Sequence, residues 1–353
     1  MWKLWLIGLV TVARISSTTD LEATAPVQKC MAKTSENSSA ALKLHLGADC
    51  SDAEREARAI DAAAIVGAIR QGRSIDLSGV VVTGDLNFDQ LSVSATIPTV
   101  DGMSVEKGQE VRVVAGPLSL VNSKMRGSLT HRSQQGLLLF QGPVSFAGTK
   151  FEEFVDLSRS VFAQPITLSG ATFLRESYFV QGQFLRGARA ERTQFGLHAR
   201  FHLSKFQGAA LFADAKFGSL VEFLEVTFRE EANFSRADFR SGTGFSGSRF
   251  QSLAEFTECR FAGDVFFTFT RFDGVADFRR ATFLATADFD DAQFNAREDF
   301  SEASFAKQDQ FTRTKRSNQQ TPTIGGNPQF QYAVTLALLL VSAALVAYLI
   351  RSR

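Results

Sequence analysis

Phenylalanine recurs along the chain in two interleaved series, each with a period of eleven residues. The first series runs from Phe140 to Phe305 and holds Phe at all sixteen positions. The second runs from Phe146 to Phe311 and holds Phe at thirteen of its sixteen positions. The other three positions are Leu157, Leu168 and Ala190. A fixed internal period of this kind is typical of repeat architectures.

A small side chain stands two residues before most of these positions. Of the 32 such positions, 28 hold Ala, Ser, Thr, Val, Gly or Cys, and the exceptions are Leu138, Ile166, Glu298 and Asp309. Residues two apart point to the same side of an extended segment. We therefore expect both to face inward and to build four columns of rings along a solenoid. The intervening Gly, Asp, Arg, Glu and Ser suit corners and outer faces.

A helical interpretation of the same period fails. Eleven-residue repeats occur in right-handed coiled coils, but residues five apart lie roughly 140° around a helix, so the Phe residues cannot form one stripe. Gly and Pro also interrupt the repeats, which disfavours helix interiors. Hexapeptide left-handed helices and calcium-binding nonapeptide helices have other repeat patterns.

Three segments carry a family resemblance: Ala-Asn-Phe-Ser-Arg-Ala-Asp-Phe at 232–239, Ala-Asp-Phe-Arg-Arg-Ala-Thr-Phe at 276–283 and Ala-Asp-Phe-Asp-Asp-Ala-Gln-Phe at 287–294. They resemble pentapeptide repeats, in a Phe-centred variant with an eleven-residue double unit. The resemblance implies an all-β fold, a right-handed quadrilateral β-helix. Steps of five and six give 22 residues per coil in place of 20, so two sides should carry an extra residue. We expect a regular β-helix over 140–312, close to eight coils.

The N-terminus has the features of an exported chain. Residues 1–19 combine Lys3 with a short apolar run, which predicts a signal peptide, with an uncleaved amphiphilic start as the alternative. Residues 20–50 are expected to be a flexible exported segment. Its Cys30 and Cys50 either pair or remain free, whereas Cys259 occupies an inward small position.

A capping helix is predicted over 51–72, since Ser51 and Glu54 have capping-box spacing and Gly72 supplies a stop. Solenoids need covered ends, so we expect this helix to cover the first coil. Residues 73–139 are expected to form irregular early coils, with 92–116 as a loop.

The C-terminus has the features of a membrane anchor. Residues 313–330 are predicted to be a linker, and 331–351 a transmembrane helix that enters the lipid bilayer through Tyr332–Ile350. The basic residues after it predict a cytoplasmic C-terminus. The β-helix is therefore expected on the extracytoplasmic side of a bacterial membrane, in a single-pass protein.

The sequence offers little catalytic chemistry. Gly242-Thr-Gly-Phe-Ser-Gly247 matches a dinucleotide pattern that needs a following helix, but Phe245 is in phase with the solenoid. His198 and His202 are four apart without a helical face to share, and His45 and His131 lack patterned partners. We therefore predict no catalytic, cofactor-binding or metal-binding residues, no cofactor and no nucleic-acid partner.

Charge is nearly balanced overall but uneven along the chain. The net charge is +1, yet residues 174–216 hold seven Arg or Lys against three acids, and residues 273–305 hold eight acids against three Arg. Asp277, Asp288 and Asp299 recur at the period on alternate sides. These charges are either ordinary solvated faces or a dipolar surface that orients a partner.

The function favoured by the sequence is a non-catalytic, membrane-tethered interaction or spacer protein with a protein partner on its β-helix. Two alternatives come from other classes. Some pentapeptide-repeat proteins mimic DNA and bind a topoisomerase, which requires a strongly acidic cytoplasmic dimer. Other β-helices are polysaccharide-active enzymes, which requires carboxylates that converge on one outer face.

Overall fold

The computed structural model describes Cys30 and residues 32–33, 40–132, 136–307 and 310–316. It confirms a right-handed all-β solenoid. The chain winds through four sheets, named here sides A, B, C and D in the order in which each coil visits them. Apart from one antiparallel pair at the N-terminal end, all strands pair in parallel with the coil before and after.

Side A comprises Ala32–Lys33, Ala41–Leu46, Ser74–Ser78, Leu118–Val121, Val144–Ser145, Ile166–Thr167, Ala188–Arg189, Ala210–Leu211, Ala232–Asn233, Ala254–Glu255, Ala276–Asp277 and Glu298–Asp299. Side B comprises Ile60–Asp61, Val81–Thr83, Lys124–Met125, Lys150–Phe151, Thr172–Phe173, Gln194–Phe195, Lys216–Phe217, Asp238–Phe239, Arg260–Phe261, Thr282–Phe283 and Ser304–Phe305.

Side C comprises Leu86–Asn87, Leu129–Thr130, Val155–Asp156, Ser177–Tyr178, Ala199–Arg200, Val221–Glu222, Thr243–Gly244, Val265–Phe266 and Ala287–Asp288. Side D comprises Glu110–Val114, Gly136–Phe140, Ser160–Phe162, Gln183–Phe184, Lys205–Phe206, Thr227–Phe228, Arg249–Phe250, Arg271–Phe272, Gln293–Phe294 and Lys315–Arg316. Two α-helices, α1 (Asp52–Glu56) and α2 (Ala62–Arg70), and a 3-10 helix, Phe88–Gln90, complete the elements.

The strand register shows a coil of 22 residues. Phe151 lies opposite Phe173 on side B, and Val221 lies opposite Thr243 on side C. This register places equivalent residues of successive coils directly above one another, as the sequence predicts.

The interior is filled by stacked Phe rings. Along side D the ring centroids of Phe206, Phe228, Phe250 and Phe272 follow one another at 5.1, 4.7 and 5.0 Å, with nearly parallel planes. Rings of sides A and C meet edge to face across the core, as Phe245 and Phe256 do at 5.3 Å. Both arrangements are favourable for aromatic pairs, and they hold the coils in register.

Where successive ring positions are five residues apart, the chain turns the corner through one residue in the left-handed backbone conformation. At the corner after side C, the N–H of Thr270 donates to the carbonyl of Phe267 at 3.0 Å, and Phe269 between them has φ +58°. This geometry is a tight β-turn with positive φ at its third position, which ordinarily favours glycine. The corners after sides A and C repeat it, so the extra residue falls at the corners after B and D.

Several small polar side chains inside the core donate hydrogen bonds to the preceding coil. The Cys259 thiol donates to the carbonyl of Phe234 at 2.8 Å, and the Thr270 hydroxyl donates to that of Phe245 at 2.8 Å. Burial raises the pKa of Cys259, in agreement with its prediction as an inert core residue. These bonds remove the cost of burying the polar groups.

Two predictions for the N-terminal region need correction, and a third is confirmed. Residues 20–50 are not wholly flexible: Ala41–Leu46 pairs with the first coil, and Cys30 and Cys50 form a disulfide. The predicted continuous helix over 51–72 is two helices, because Ile60 joins side B and Asp61 caps α2 through the N–H of Ala63. The predicted capping box between Ser51 and Glu54 is confirmed.

The predicted loop over 92–116 is shorter than expected. Residues 91–109, called the excursion below, leave the first coil after the 3-10 helix, but Glu110–Val114 is already a strand of side D. The alternating apolar residues of this strand lie on an outer face that the excursion covers. They are therefore out of phase with the apolar residues that face the core.

The C-terminal end of the described stack is polar. Glu298 and Arg316 take positions at which the preceding coils hold Ala276 and Phe294, and their charged groups lie 3.8 Å apart. The predicted linker at 313–330 therefore begins too early. Among the described residues, no helix combines the length and the apolar character needed to cross a bilayer. The predicted signal peptide, 1–19, and transmembrane helix, 331–351, lie outside the described residues.

Candidate binding face

The outer face of side D divides into an apolar part and a polar part. Its outward positions in the early coils hold Val111, Leu137, Leu139, Val161, Ala163 and Leu185, which form a second hydrophobic cluster outside the core. From Lys205 onward the equivalent positions are Lys, Arg, Thr, Gln, Asn and Asp. Only the apolar part must be shielded from water.

The excursion covers the apolar part of side D. Val100, Met103 and Val105 pack against the apolar cluster. Gln183 fixes the excursion by two hydrogen bonds, since its Oε1 accepts from the N–H of Ser104 at 2.7 Å and its Nε2 donates to the Ser104 carbonyl at 2.8 Å. Gln207 Nε2 donates to the carbonyl of Gly102 at 2.6 Å.

A groove of about 650 Å³ opens where the excursion turns back toward the rod. Its lining on the excursion is residues 104–109, and on the rod it includes Leu137, Arg159, Gln181 and Lys205. The volume lies in the range of small-molecule sites, and the groove has three cationic residues, Lys107, Arg159 and Lys205, against one carboxylate, Glu106.

The open half of side D, defined as the outward positions from Lys205 to Lys315, is net cationic. It holds five cations, Lys205, Arg229, Arg249, Arg271 and Lys315, against Glu230 and Asp273. All five cations are exposed. Because the whole chain has a net charge of only +1, the charge differs between faces and not only along the length of the rod.

Asp273 organises the centre of the open half. Its carboxylate accepts from Arg249 Nε at 2.6 Å, Arg271 Nε at 2.5 Å and Asn295 Nδ2 at 2.8 Å. Burial opposes ionisation, but these hydrogen bonds outweigh it and lower the pKa of Asp273 to about 2. The two guanidinium groups are thus held in place, with their terminal N–H donors left on the outer face.

Side C receives the histidines and the glycine pattern singled out in the sequence. His198 Nε2 lies 3.0 Å from a carboxylate oxygen of Glu222, which also accepts from Arg200 Nε at 2.8 Å. Arg200 lies over the ring of Tyr178. Among the described residues, no group of His, Cys, Asp and Glu is arranged to hold a metal ion, so His198 and His202 gain no metal-binding partner there.

The glycine pattern at 242–247 is part of the solenoid. Thr243–Gly244 is a strand, Phe245 stacks between Phe223 and Phe267, and the next element is the strand Arg249–Phe250. The pattern therefore lacks the following helix that a dinucleotide-binding turn requires.

The remaining candidates are dispersed. Asp277 and Asp299 are neighbours on side A and pair with Arg279 and Arg297, whereas Asp288 lies on side C. His45 contacts Asp76 at 2.7 Å. His131 is buried against Asp89, and burial lowers its pKa. Glu255, Asp277 and Asp299 thus follow one another on side A, and only Asp288 lies apart.

The eleven-residue period does not reveal the binding face, because residues eleven apart lie on opposite sides of the β-helix. Reading every 22nd residue from Gln183 gives Gln, Lys, Thr, Arg, Arg, Gln and Lys, ending at Lys315. This series is the signal that identifies the open half of side D.

Comparison with known proteins agrees with this architecture. A family model described as pentapeptide repeats (9 copies) matches residues 201–249, 223–271 and 256–304. The chain therefore carries pentapeptide repeats over this part of the rod. No curated protein matches the chain.

Proposed function

We propose that this protein is a non-catalytic, membrane-tethered interaction protein that presents side D of its β-helix to a partner outside the cytoplasm. The observation that carries the proposal is the division of side D. The excursion covers the apolar half, while the cationic half and the adjoining groove remain exposed. A face that contacted only solvent would not need a covered apolar part beside an exposed cationic part.

The disulfide supports an extracytoplasmic location. Cys30 and Cys50 are joined, and structural disulfides persist in oxidising compartments. Arg58 donates to the sulfur of Cys30 at 3.3 Å. The bond therefore fixes Cys30 beside α1, at the N-terminal end of the rod.

The apolar sequence Tyr332–Ile350 supports tethering. It has no charged residue and is followed by Arg351 and Arg353, a pattern that retains a helix in a bilayer with its C-terminus in the cytoplasm.

We assign a capping role to α2. Its residues Ile65, Val66 and Ile69 are buried with the first coil in the main core. Exposed strand edges can pair with other chains. By covering the first coil, α2 prevents other chains from adding strands to this end of the β-helix.

Cysteine accessibility tests the location and the tether. The chain's own thiols give little background, since Cys30 and Cys50 are bonded and Cys259 is buried. Arg229→Cys adds one exposed thiol on side D. We expect a membrane-impermeant thiol reagent to label it in intact spheroplasts, and the labelled protein to stay with the membrane after a carbonate wash.

Two controls define the outcome. Ala281→Cys, at a fully buried position, should remain unlabelled in both intact and lysed cells. Truncation after Arg316 should release the labelled protein from the membrane. Labelling of Arg229→Cys only after lysis would place the β-helix in the cytoplasm and refute the proposal.

A further inference from the structure

The open half of side D presents cations along a straight line. Lys205, Arg249, Arg271 and Lys315 occupy one column, because the register places equivalent residues on successive strands. Strands in a sheet lie about 4.8 Å apart, so the column extends over about 24 Å. Such a row matches a linear anion better than a compact one.

These cations are available for binding. Within the described residues, Lys205, Arg229 and Lys315 form no ion pair. Arg249 and Arg271 bind Asp273 through Nε, and each is about half exposed, at 48% of its side-chain surface. Only Nε of each side chain is used in these bonds, so the terminal N–H groups remain available, and a guanidinium suits carboxylate oxygens.

Amide side chains alternate with the cations. Gln251 and Gln293 lie beside Arg229 and Arg271 on neighbouring strands, and both reach the outer surface. Amides both donate and accept hydrogen bonds, so they suit hydroxyl groups. A ligand that carries hydroxyls and carboxylates along one chain would use both kinds of side chain.

The groove continues this row at its N-terminal end. Lys205 belongs both to the column and to the groove lining, and Lys107 approaches from the excursion on the opposite wall. Gln181 and Gln109 add amides to the lining. A polymer that follows the column would therefore enter the groove with one end.

We propose that the open half of side D and the adjoining groove bind a linear polysaccharide that carries carboxylates. The inference rests on the proposed function, whose partner it names by chemical class. Nucleic acid fits less well, because single strands bind through aromatic stacking, and the outward positions from Lys205 to Lys315 on side D hold no aromatic residue.

Binding of polygalacturonate to the full chain in detergent micelles tests the inference. Lys205→Gln, Arg229→Gln and Lys315→Gln are combined in one variant, because none of the three has an ion-pair partner among the described residues. Counterion release makes binding to a polyanion depend on the number of cations. We expect the triple variant to weaken binding by about tenfold or more, and added salt to weaken wild-type binding steeply.

A side B variant is the matched control. Arg175→Gln, Arg192→Gln and Lys216→Gln remove the same charge from exposed positions on side B and at its corners, and none of the three forms an ion pair within the described residues. We expect affinity to change by less than about twofold. Equal loss in both variants would show that net charge, not side D, controls binding. Thermal melts of both variants confirm that the fold is retained.

Other probes identify the class of ligand. Methyl-esterified polygalacturonate should bind at least about tenfold more weakly, because it lacks the carboxylates. Absence of polygalacturonate binding, or equal binding of the ester, poly(U) RNA or poly-glutamate, would overturn the inference. The labelling of Arg229→Cys described above uses no polysaccharide, so the location can fail or hold independently of the ligand.

Discussion

Removing one ring from an unbroken column measures how much the Phe stack stabilises the rod. Phe223 is fully buried. Its centroid lies 4.7 Å from Phe201 and 5.1 Å from Phe245 in parallel stacks, and 5.5 Å from Phe212 and 5.3 Å from Phe234 edge to face. Phe→Ala in a core costs about 3–5 kcal/mol, and aromatic pairs contribute about 0.5–1.5 kcal/mol beyond area. We therefore expect Phe223→Ala to lower the free energy of unfolding by about 5 kcal/mol.

Ala190 provides the reverse experiment. It occupies a ring position on side A and is fully buried. The nearby rings keep ordinary spacing, with Phe179 and Phe201 at 5.2 Å and Phe201 and Phe212 at 5.6 Å, so they have not moved into the missing ring's place. Filling such a space commonly stabilises by about 0.5–2 kcal/mol. We expect this gain for Ala190→Phe.

The arginines next to Ala190 in sequence do not fill the space. Arg186, Arg189 and Arg192 are exposed, because the strand continues through this segment with its usual alternation. The backbone ladder is also unbroken, since Ala188 pairs with both Ile166 and Ala210.

Urea unfolding of a fragment spanning 20–316, followed by circular dichroism, measures both changes. Thr227→Ala, on the outer face of side D, is the control and should change stability by no more than about 0.5 kcal/mol. A tolerated Phe223→Ala together with a strongly destabilised Ala190→Phe would show that the Phe columns are not the core. The 22-residue coil would then be refuted.

Three further changes test other parts of the structure. Replacing Cys30 or Cys50, 20 residues apart, should cost about 3 kcal/mol, and non-reducing peptide mapping should detect the bond. Phe269→Gly, at φ +58° and 67% exposed, should raise stability by about 0.5 kcal/mol, because left-handed backbone disfavours side chains. The lowered pKa of Asp273, about 2, stabilises the fold above its unfolded pKa, so about 1–2 kcal/mol should be lost as pH falls from about 4 to 2. Asp273→Asn should abolish this loss in acid melts.

The fold could be predicted from the sequence because the same pattern recurs in coil after coil. Small residues and Phe two apart recur from Phe140 onward with few exceptions, so strand register, inward faces and coil length all follow from one period. The ends were harder to predict. The strand at Ile60–Asp61 is only two residues long and is set by pairing with the next coil, a tertiary contact that local helical spacing does not reveal.

The candidate site could be predicted only in part. The cations of the open half of side D lie 20 or more residues apart, and their proximity depends on the length of the coil. The groove depends on contacts of Gln183 with Ser104, 79 residues away. No local pattern in the excursion indicates which coil it covers. The apolar alternation of Glu110–Val114 could have indicated a covered outer face.

The central claim is that the β-helix acts by presenting side D to a partner outside the cytoplasm. Photo-crosslinking from single cysteines in the native membrane tests it most directly. Arg229→Cys on side D and Arg240→Cys on side B are both exposed and would carry the same membrane-impermeant benzophenone probe, attached to intact spheroplasts. We predict a crosslinked product of increased mass from Arg229→Cys, absent from Arg240→Cys and diminished when Lys205 and Lys315 are also replaced by Gln. Equal crosslinking from both sides, or none from side D, would contradict the account.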